Sequence, residues 1–128
     1  MTLLMDTHVF LWWVTDEPRL SPRARAEIAN PDNEVLLSAA SGWEIAIMSA
    51  LGRLELHSEP QVFVPQHVHR NRFGVLPVSL HHSLEVYSLP HHHRDPFDRL
   101  LIAQARSEGI PLISGENRLR SYEVEIVW

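Results

Sequence analysis

A chain of 128 residues, with 45% hydrophobic and 21% charged residues, has the make-up of an ordinary globular protein and is long enough to bury a core as one domain spanning residues 1–128. It contains no cysteine, which excludes disulfide scaffolds, thiolate zinc sites and cysteine nucleophiles. All 11 basic residues are arginine, which excludes Walker-type phosphate binding and Schiff-base chemistry and argues against a receiver domain, since each relies on lysine.

The formal net charge of −5 gives no overall attraction to nucleic acid, so binding of RNA or DNA would depend on local patches or a bridging metal. No stretch approaches the ~20 apolar residues that span a bilayer. The start of the chain lacks the basic segment of a signal peptide, so the expected location is the cytoplasm, away from membranes.

Thr2-Met5 reads as a strand, and the apolar run His8-Val14 opens the first helix. Ser21-Pro22 combines an N-cap with a proline at the first helical position, and that helix ends before Asn30-Pro31. Glu34-Ser38 is the next strand. Ser41 and Glu44 stand at capping-box spacing, with Gly52 as the stop of the helix they would open. Residues 59–72 are weakly helical, with Pro65 as a break or first-turn residue. Val75-Ser79 is a strand, Leu80-Leu89 a short helix and Pro90-Asp95 a loop. Asp95-Pro96 caps a long helix to about Glu108, stopped by Gly109. Pro111-Ser114 is a strand, Glu116-Tyr122 a short helix and Val124-Trp128 a closing strand. Strands alternating with helices predict an α/β fold: a mainly parallel sheet in a three-layer α/β/α sandwich, its ligand site at the carboxyl ends of the strands.

Four acidic residues fall where a predicted strand ends or a predicted helix begins: Asp6, Glu44, Asp98 and Glu116. Glu44 and Asp98 share a helix face with core residues one turn on, Ile47-Met48-Leu51 and Leu101-Ile102-Ala105. Carboxylates turned toward a core are costly unless neutralised, and a hard divalent cation, Mg²⁺ or Mn²⁺, is the simplest partner. Such an ion activates a water and stabilises charge on phosphate, so the expected reaction is in-line hydrolysis of a phosphodiester, leaving a 5′-phosphate and a 3′-hydroxyl. Plainer roles stand beside these: Asp6 as an N-cap, Glu44 as part of a capping box with Ser41, Asp98 as a first-turn acid favouring the helix dipole. Asp95 fits capping better than catalysis, with a supporting role at the metal left open.

Three segments carry a resemblance: Leu4-Met5-Asp6-Thr7-His8, Ser38-Ala39-Ala40-Ser41-Gly42-Trp43-Glu44-Ile45-Ala46, and His92-His93-Arg94-Asp95-Pro96-Phe97-Asp98-Arg99 running on through Leu100-Leu101-Ile102-Ala103-Gln104-Ala105. With the terminal strand ending in Trp128, they cover nearly the whole chain. The sequence resembles the PIN-domain ribonucleases, and within them the VapC-type toxins of bacterial toxin–antitoxin pairs. The resemblance implies a PIN-like α/β/α sandwich and Mg²⁺- or Mn²⁺-dependent endoribonuclease activity. It also implies homodimerisation and inhibition by a small cognate antitoxin, with the family's acids at Asp6, Glu44 and Asp98. The fourth family acid is usually an aspartate, whereas this chain offers Glu116. Three readings of it stay open: a direct ligand, a ligand through water, or a helix cap. Met48 departs too, since related sequences often carry a basic residue there.

Ser38 and Ser114 could hydrogen-bond the ligands or simply satisfy strand ends. The tandem histidines His91, His92 and His93 read as solvated; if they act, they would meet RNA alongside Arg94 and Arg99 rather than hold the ion. Trp12 and Trp13 read as core or dimer-interface residues. Two rivals to the nuclease remain: a PIN-like module that binds RNA or protein without cutting, and a metal-dependent phosphatase of small esters.

Overall fold

The computed structural model describes residues 1–128. Its elements, in chain order, are β1 (Thr2–Met5), α1 (Thr7–Val14), α2 (Pro22–Ala29), β2 (Glu34–Ser38), α3 (Ala39–Ala50), α4 (Pro60–Arg70), β3 (Gly74–Leu76), α5 (Leu80–Glu85), a 3₁₀ turn (Val86–Ser88), α6 (Pro96–Glu108), β4 (Leu112–Ile113), a second 3₁₀ turn (Asn117–Ser121) and β5 (Ile126–Val127). The five strands form one sheet in the order β3-β2-β1-β4-β5, and every pairing is parallel. The central strand β1 sets Leu4 and Met5 opposite Leu112 and Ile113 of β4 on one side, and opposite Leu36 and Leu37 of β2 on the other.

Alternation along β1 builds the sandwich. Leu3 and Met5 face a core made with Val9 and Phe10 of α1, Ile28 of α2, Ile45 of α3 and Phe63 of α4. Leu4 faces the opposite core with Leu101 and Ile102 of α6 and Leu112 of β4. A strand covered on both faces reads as a continuous apolar run, which is what Leu3-Leu4-Met5 is. The switch in connection order lies between β1 and β4, and the two strands end there at Asp6 and Ser114, where open α/β sheets bind ligands.

Several helix ends follow the predicted signals. Ser21 caps α2 through the Ala24 N–H at 3.1 Å. Asp95 caps α6 with Pro96 in its first turn, and Gly109 stops it at φ 66°, in the left-handed region that favours glycine. Other expectations need correction. No capping box forms at Ser41. The cap of α3 is Ser38, whose Oγ accepts from the Ala40 N–H at 3.0 Å, so helix follows strand without a loop. Ser41 lies inside the helix, buried, and its Oγ accepts from the Thr7 hydroxyl at 2.9 Å. Pro65 neither breaks nor opens α4 but sits inside it; it and Gln61, whose carbonyl it leaves without a helical donor, are both exposed, so water can take the bond. β3 ends at Leu76 because Pro77 has no N–H for the ladder. The closing strand is two residues, Ile126–Val127.

Candidate active site

Each predicted acid is delivered by a different part of the chain to the carboxyl edge of the sheet. Asp6 follows β1 directly and caps α1, its Oδ1 accepting from the Val9 N–H at 2.8 Å. Its backbone N–H is tied to the Ile113 carbonyl at 3.0 Å, which locks it beside the end of β4. Glu44 stands in the second turn of α3, only 9% exposed, and its Oε1 is buried without any hydrogen-bond partner. Asp98 comes from the first turn of α6, and its Oδ2 accepts from Nε2 of His93 at 2.8 Å. Glu116 caps the second 3₁₀ turn, with its Oε1 accepting from the Arg118 N–H at 3.1 Å. Asp95 caps α6 through its Oδ1, at 2.8 Å from the Phe97 N–H.

A cleft of about 350 Å³ opens there, lined by Asp6, Asp95, Asp98 and Glu116 together with His8, His93, Trp12, Arg19 and Gly115. Glu44 is not part of this lining but stands close enough to feel the charges of Asp95 and Asp6. A larger hollow of about 690 Å³ between α3 and α4 holds none of the predicted acids. The tightest group of potential ligand atoms is His93, Asp95 and Asp98, one atom from each lying within 4.8 Å of the others. The sequence reading centred instead on Asp6, Glu44 and Asp98, and gave Asp95 a capping role that the structure also displays.

The electrostatics are those of crowded, desolvated acids. Burial pushes the Asp6 carboxyl above its ordinary range; the Ser114 hydroxyl and the Val9 N–H pull back, and Glu116 adds repulsion. Burial likewise raises Glu44, offset by the Thr7 hydroxyl and reinforced by Asp95 and Asp6. That hydroxyl has one proton and two claimants, since Ser41 Oγ is 2.9 Å away, so Glu44 has at best a shared donor. Asp98 is pushed up to about 6, first by burial, then by Asp95 and Asp6, against the favourable bond from His93. Carboxylates raised together in a cleft mark a functional-site candidate.

Other predicted residues are placed elsewhere. Ser38 is spent on capping α3 and on donating to Gln104 Oε1 at 2.6 Å. Ser114 Oγ accepts from the Glu116 N–H at 3.1 Å and adjoins Asp6. Arg99 is buried away from the cleft lining; it donates to the carbonyls of Pro90 (2.9 Å), Val86 (3.3 Å) and Leu89 (3.4 Å) and to Tyr122 Oη at 3.1 Å, knitting the preceding loop to α6. Arg94 is exposed at the rim. Of the histidines, His91 and His92 are exposed, whereas the His93 side chain is only 7% exposed and points at Asp98. With Arg118 Nη1 3.5 Å from Nδ1, the tautomer protonated at Nε2 is the one that suits both neighbours, since it donates to Asp98. Met48 packs against the larger core.

The sequence reading missed His8, Arg19 and Gly115. Gly115 had a physical signal only in three dimensions: a Cβ there would lie 2.7 Å from the Trp128 ring. Trp12, expected in a core or interface, packs half-buried against the larger core and also lines the cleft, 6.0 Å from Trp128 between ring centres, with the Arg19 guanidinium 4.8 Å over its ring.

A parallel sheet in this strand order, with acids from β1, α3 and α6 gathered at its carboxyl edge, has the form of a PIN domain. A family model described as PIN domain matches residues 3–125, and the chain belongs to that family. Over 123 residues it is 32% identical to Ribonuclease VapC22 of Mycobacterium tuberculosis, covering 94% of this chain and 92% of that protein. It is 40% identical over 70 residues to Ribonuclease VapC16 of the same organism, covering 52% of this chain and 48% of that one. Among solved structures, VapBC2 from Rickettsia felis bound to a DNA fragment from its promoter superposes with a TM-score of 0.72 at 12% identity, over 98% of this chain and 97% of that one. FitAcB from Neisseria gonorrhoeae gives 0.67 at 16%, over 97% and 95%. At such identities these two establish likeness of fold.

Proposed function

We propose that this protein is a divalent-metal-dependent endoribonuclease and the toxin of a toxin–antitoxin pair. The observation that carries the reading is a set of buried carboxylates, raised by burial and by one another, one of which leaves an oxygen wholly unpartnered. An orphaned, buried carboxylate oxygen fits a cation, and an all-oxygen set with an imidazole beside it suits Mg²⁺ or Mn²⁺. Asp6, Glu44 and Asp98 would hold the ion, with Asp95 and Glu116 at its margin. When bound, such a cation supplies Lewis acidity: it stabilises charge on the phosphate under attack and makes water more acidic.

The chain's own residues do the positioning. Val9 N–H fixes one oxygen of Asp6, His93 one of Asp98 and Arg118 N–H one of Glu116, while the second oxygens of Asp98 and Glu116 accept nothing from the protein. Pre-set carboxylates of this kind need little rearrangement on loading. His8 and Arg19 on the cleft wall offer donors to an anionic substrate. The names of the two mycobacterial relatives support ribonuclease chemistry, and the toxin–antitoxin assemblies among the fold neighbours support a small protein inhibitor as partner. Exposed Val75, Leu80, Leu84 and Tyr87 support a homodimer through β3 and α5. No helix is long and apolar enough to cross a membrane.

The test is cleavage of structured RNA by the purified chain. Expected are loss of cleavage with EDTA, restoration by Mn²⁺ or Mg²⁺, and loss in Asp6→Ala and Asp98→Ala. Cutting that survives chelation and both substitutions overturns the metal mechanism. A second reading, a PIN-like module that binds without cutting, is favoured by the use of Glu116 Oε1 as a cap; Mn²⁺ that binds while RNA stays whole would select it.

A further inference from the structure

Beside the acidic cleft lies a second hollow, also of about 350 Å³, lined by His91, His92, His93, Arg94 and Arg118 and by no acidic or apolar residue. His93 lines both spaces, so its ring is their common wall. We propose that this hollow is a subsite for a backbone phosphate of the RNA strand, next along from the phosphate presented to the carboxylates. The inference rests on the nuclease reading above and extends it to the question of how an acidic protein captures a polyanion.

Charge makes the case first. The chain carries −5, and the cleft concentrates four carboxylates at its surface, so a strand entering from solvent meets repulsion. The guanidinium groups of Arg94 and Arg118 in the second hollow's lining reverse the local sign at the cleft's edge. These guanidinium groups are also available. Arg94 forms no ion pair or hydrogen bond, and Arg118 has only a 3.9 Å approach to Glu116 and a 3.5 Å approach to His93. Arg99, by contrast, is consumed by four protein oxygens. The exposed imidazoles of His91 and His92 offer N–H donors to phosphate in either protonation state.

The pocket is also held in shape. Tyr122 packs edge-on against His92 at 5.1 Å between ring centres. The Tyr122 hydroxyl accepts from the His93 N–H at 3.1 Å, and Arg99 donates to that same oxygen. The loop that carries the histidines is therefore anchored through Tyr122 while the side chains of Arg94 and Arg118 stay exposed. An anchored rim of this type binds backbone without reading sequence.

The test uses the full chain with Asp98→Asn to prevent cutting, in Mg²⁺. A labelled single-stranded RNA of about 12 nucleotides is titrated by anisotropy between about 50 and 300 mM salt. Adding Arg94→Gln and Arg118→Gln is expected to weaken binding about tenfold at low salt and to flatten the log Kd–log salt slope by about 0.7, the loss of one single-strand phosphate contact. Arg94→Lys with Arg118→Lys is expected to restore the slope, because a point charge suffices for phosphate. An unchanged affinity and slope in the glutamine pair overturns the subsite, and cleavage by the unmodified chain then leaves the nuclease reading standing. Failure of the lysine pair to restore the slope overturns the charge mechanism. Loss of the slope in the glutamine pair, with no cleavage by the unmodified chain, upholds the subsite and removes the nuclease. Absence of any RNA binding removes both.

Discussion

Helix α6 places Asp98 in the cleft and Gln104, under two turns further on, in the core, and the two side chains live in opposite polar surroundings. Gln104 is fully buried and its amide is used at both ends: Oε1 accepts from Ser38 at 2.6 Å, and Nε2 donates to the Pro77 carbonyl at 3.2 Å and lies 3.4 Å from His82 Nδ1. His82 Nδ1 in turn accepts from the Ser79 N–H at 3.0 Å, and its Nε2 lies 3.2 Å from Glu108. Donors meet acceptors throughout, and the network ties α6 to β2 and α5. Around Asp98 the tally is lopsided: acids crowd together with too few donors, and Glu44 Oε1 has none. Buried polar groups that complete one another hold elements together. Groups that do not complete one another show where a species from outside completes them.

The largest effect separating the two regions is on catalysis. Asp98→Asn is expected to lower RNA cleavage by about 10²–10³-fold, the usual range for losing a principal electrostatic contributor, while the melting temperature holds or rises because one buried negative charge is gone. A fall in melting temperature as large as a core substitution gives would make the cleft acids structural and break the comparison.

Next comes pH. In the folded chain Asp98 keeps its proton up to about 6, against 3.8 when unfolded, chiefly because it is buried. The folded state therefore binds more protons than the unfolded state between those values. Stability is greatest at the acid end and falls as pH rises through about 6, by at most about 3 kcal/mol from this group. Asp6 and Glu44 shift in the same direction. Thermal melts across this window should show that decline without divalent cation. Saturating Mn²⁺ should reverse it at pH 7.5, adding about 2–3 kcal/mol at a hundredfold excess over Kd, and add little at pH 5. A flat profile would put the carboxylates in water rather than in the protein.

The smallest effect belongs to the completed network. Gln104→Leu takes the partner from the Ser38 hydroxyl proton and the Gln104 donor from the Pro77 carbonyl and is expected to cost about 1–3 kcal/mol in chemical denaturation. Cleavage per folded molecule should stay within twofold of the parent. A large loss of activity at full folding would show that α6 transmits the network to Asp98, and the two regions would no longer be separable.

Much of this was legible from residue order because it is local. Ser21-Pro22, Asp95-Pro96 and Gly109 specify ends through atoms within a turn of themselves, and the apolar run Leu3-Leu4-Met5 announces a strand covered on both faces. Asp6, Asp98 and Glu116 could be shortlisted because each follows a strand or opens a helix, whereas Glu44, expected at a helix start, stands one turn further in. What escaped was set by distant partners. Ser41 reads as the cap, but the role falls to Ser38 because strand runs straight into helix and Gln104, 66 positions later, takes the Ser38 hydroxyl proton. His93 looks like its exposed neighbours until Tyr122 and Arg118, 29 and 25 positions later, fold over it. Arg99 reads as an RNA contact beside Arg94 until the carbonyls of the preceding loop close around it.

The pairing of β1 with β4 has a consequence in time. The ribosome makes Leu4 and Met5 long before their partners Leu112 and Ile113. At roughly 5–20 residues per second, several seconds or more separate the two. The sheet's middle cannot close in that interval, and Asp6 has no fixed position relative to Asp98. A nascent chain therefore carries all but the last of its acids without the geometry to use them. Whatever hazard this protein poses to the RNA around it begins only once β4 has been made and has paired with β1.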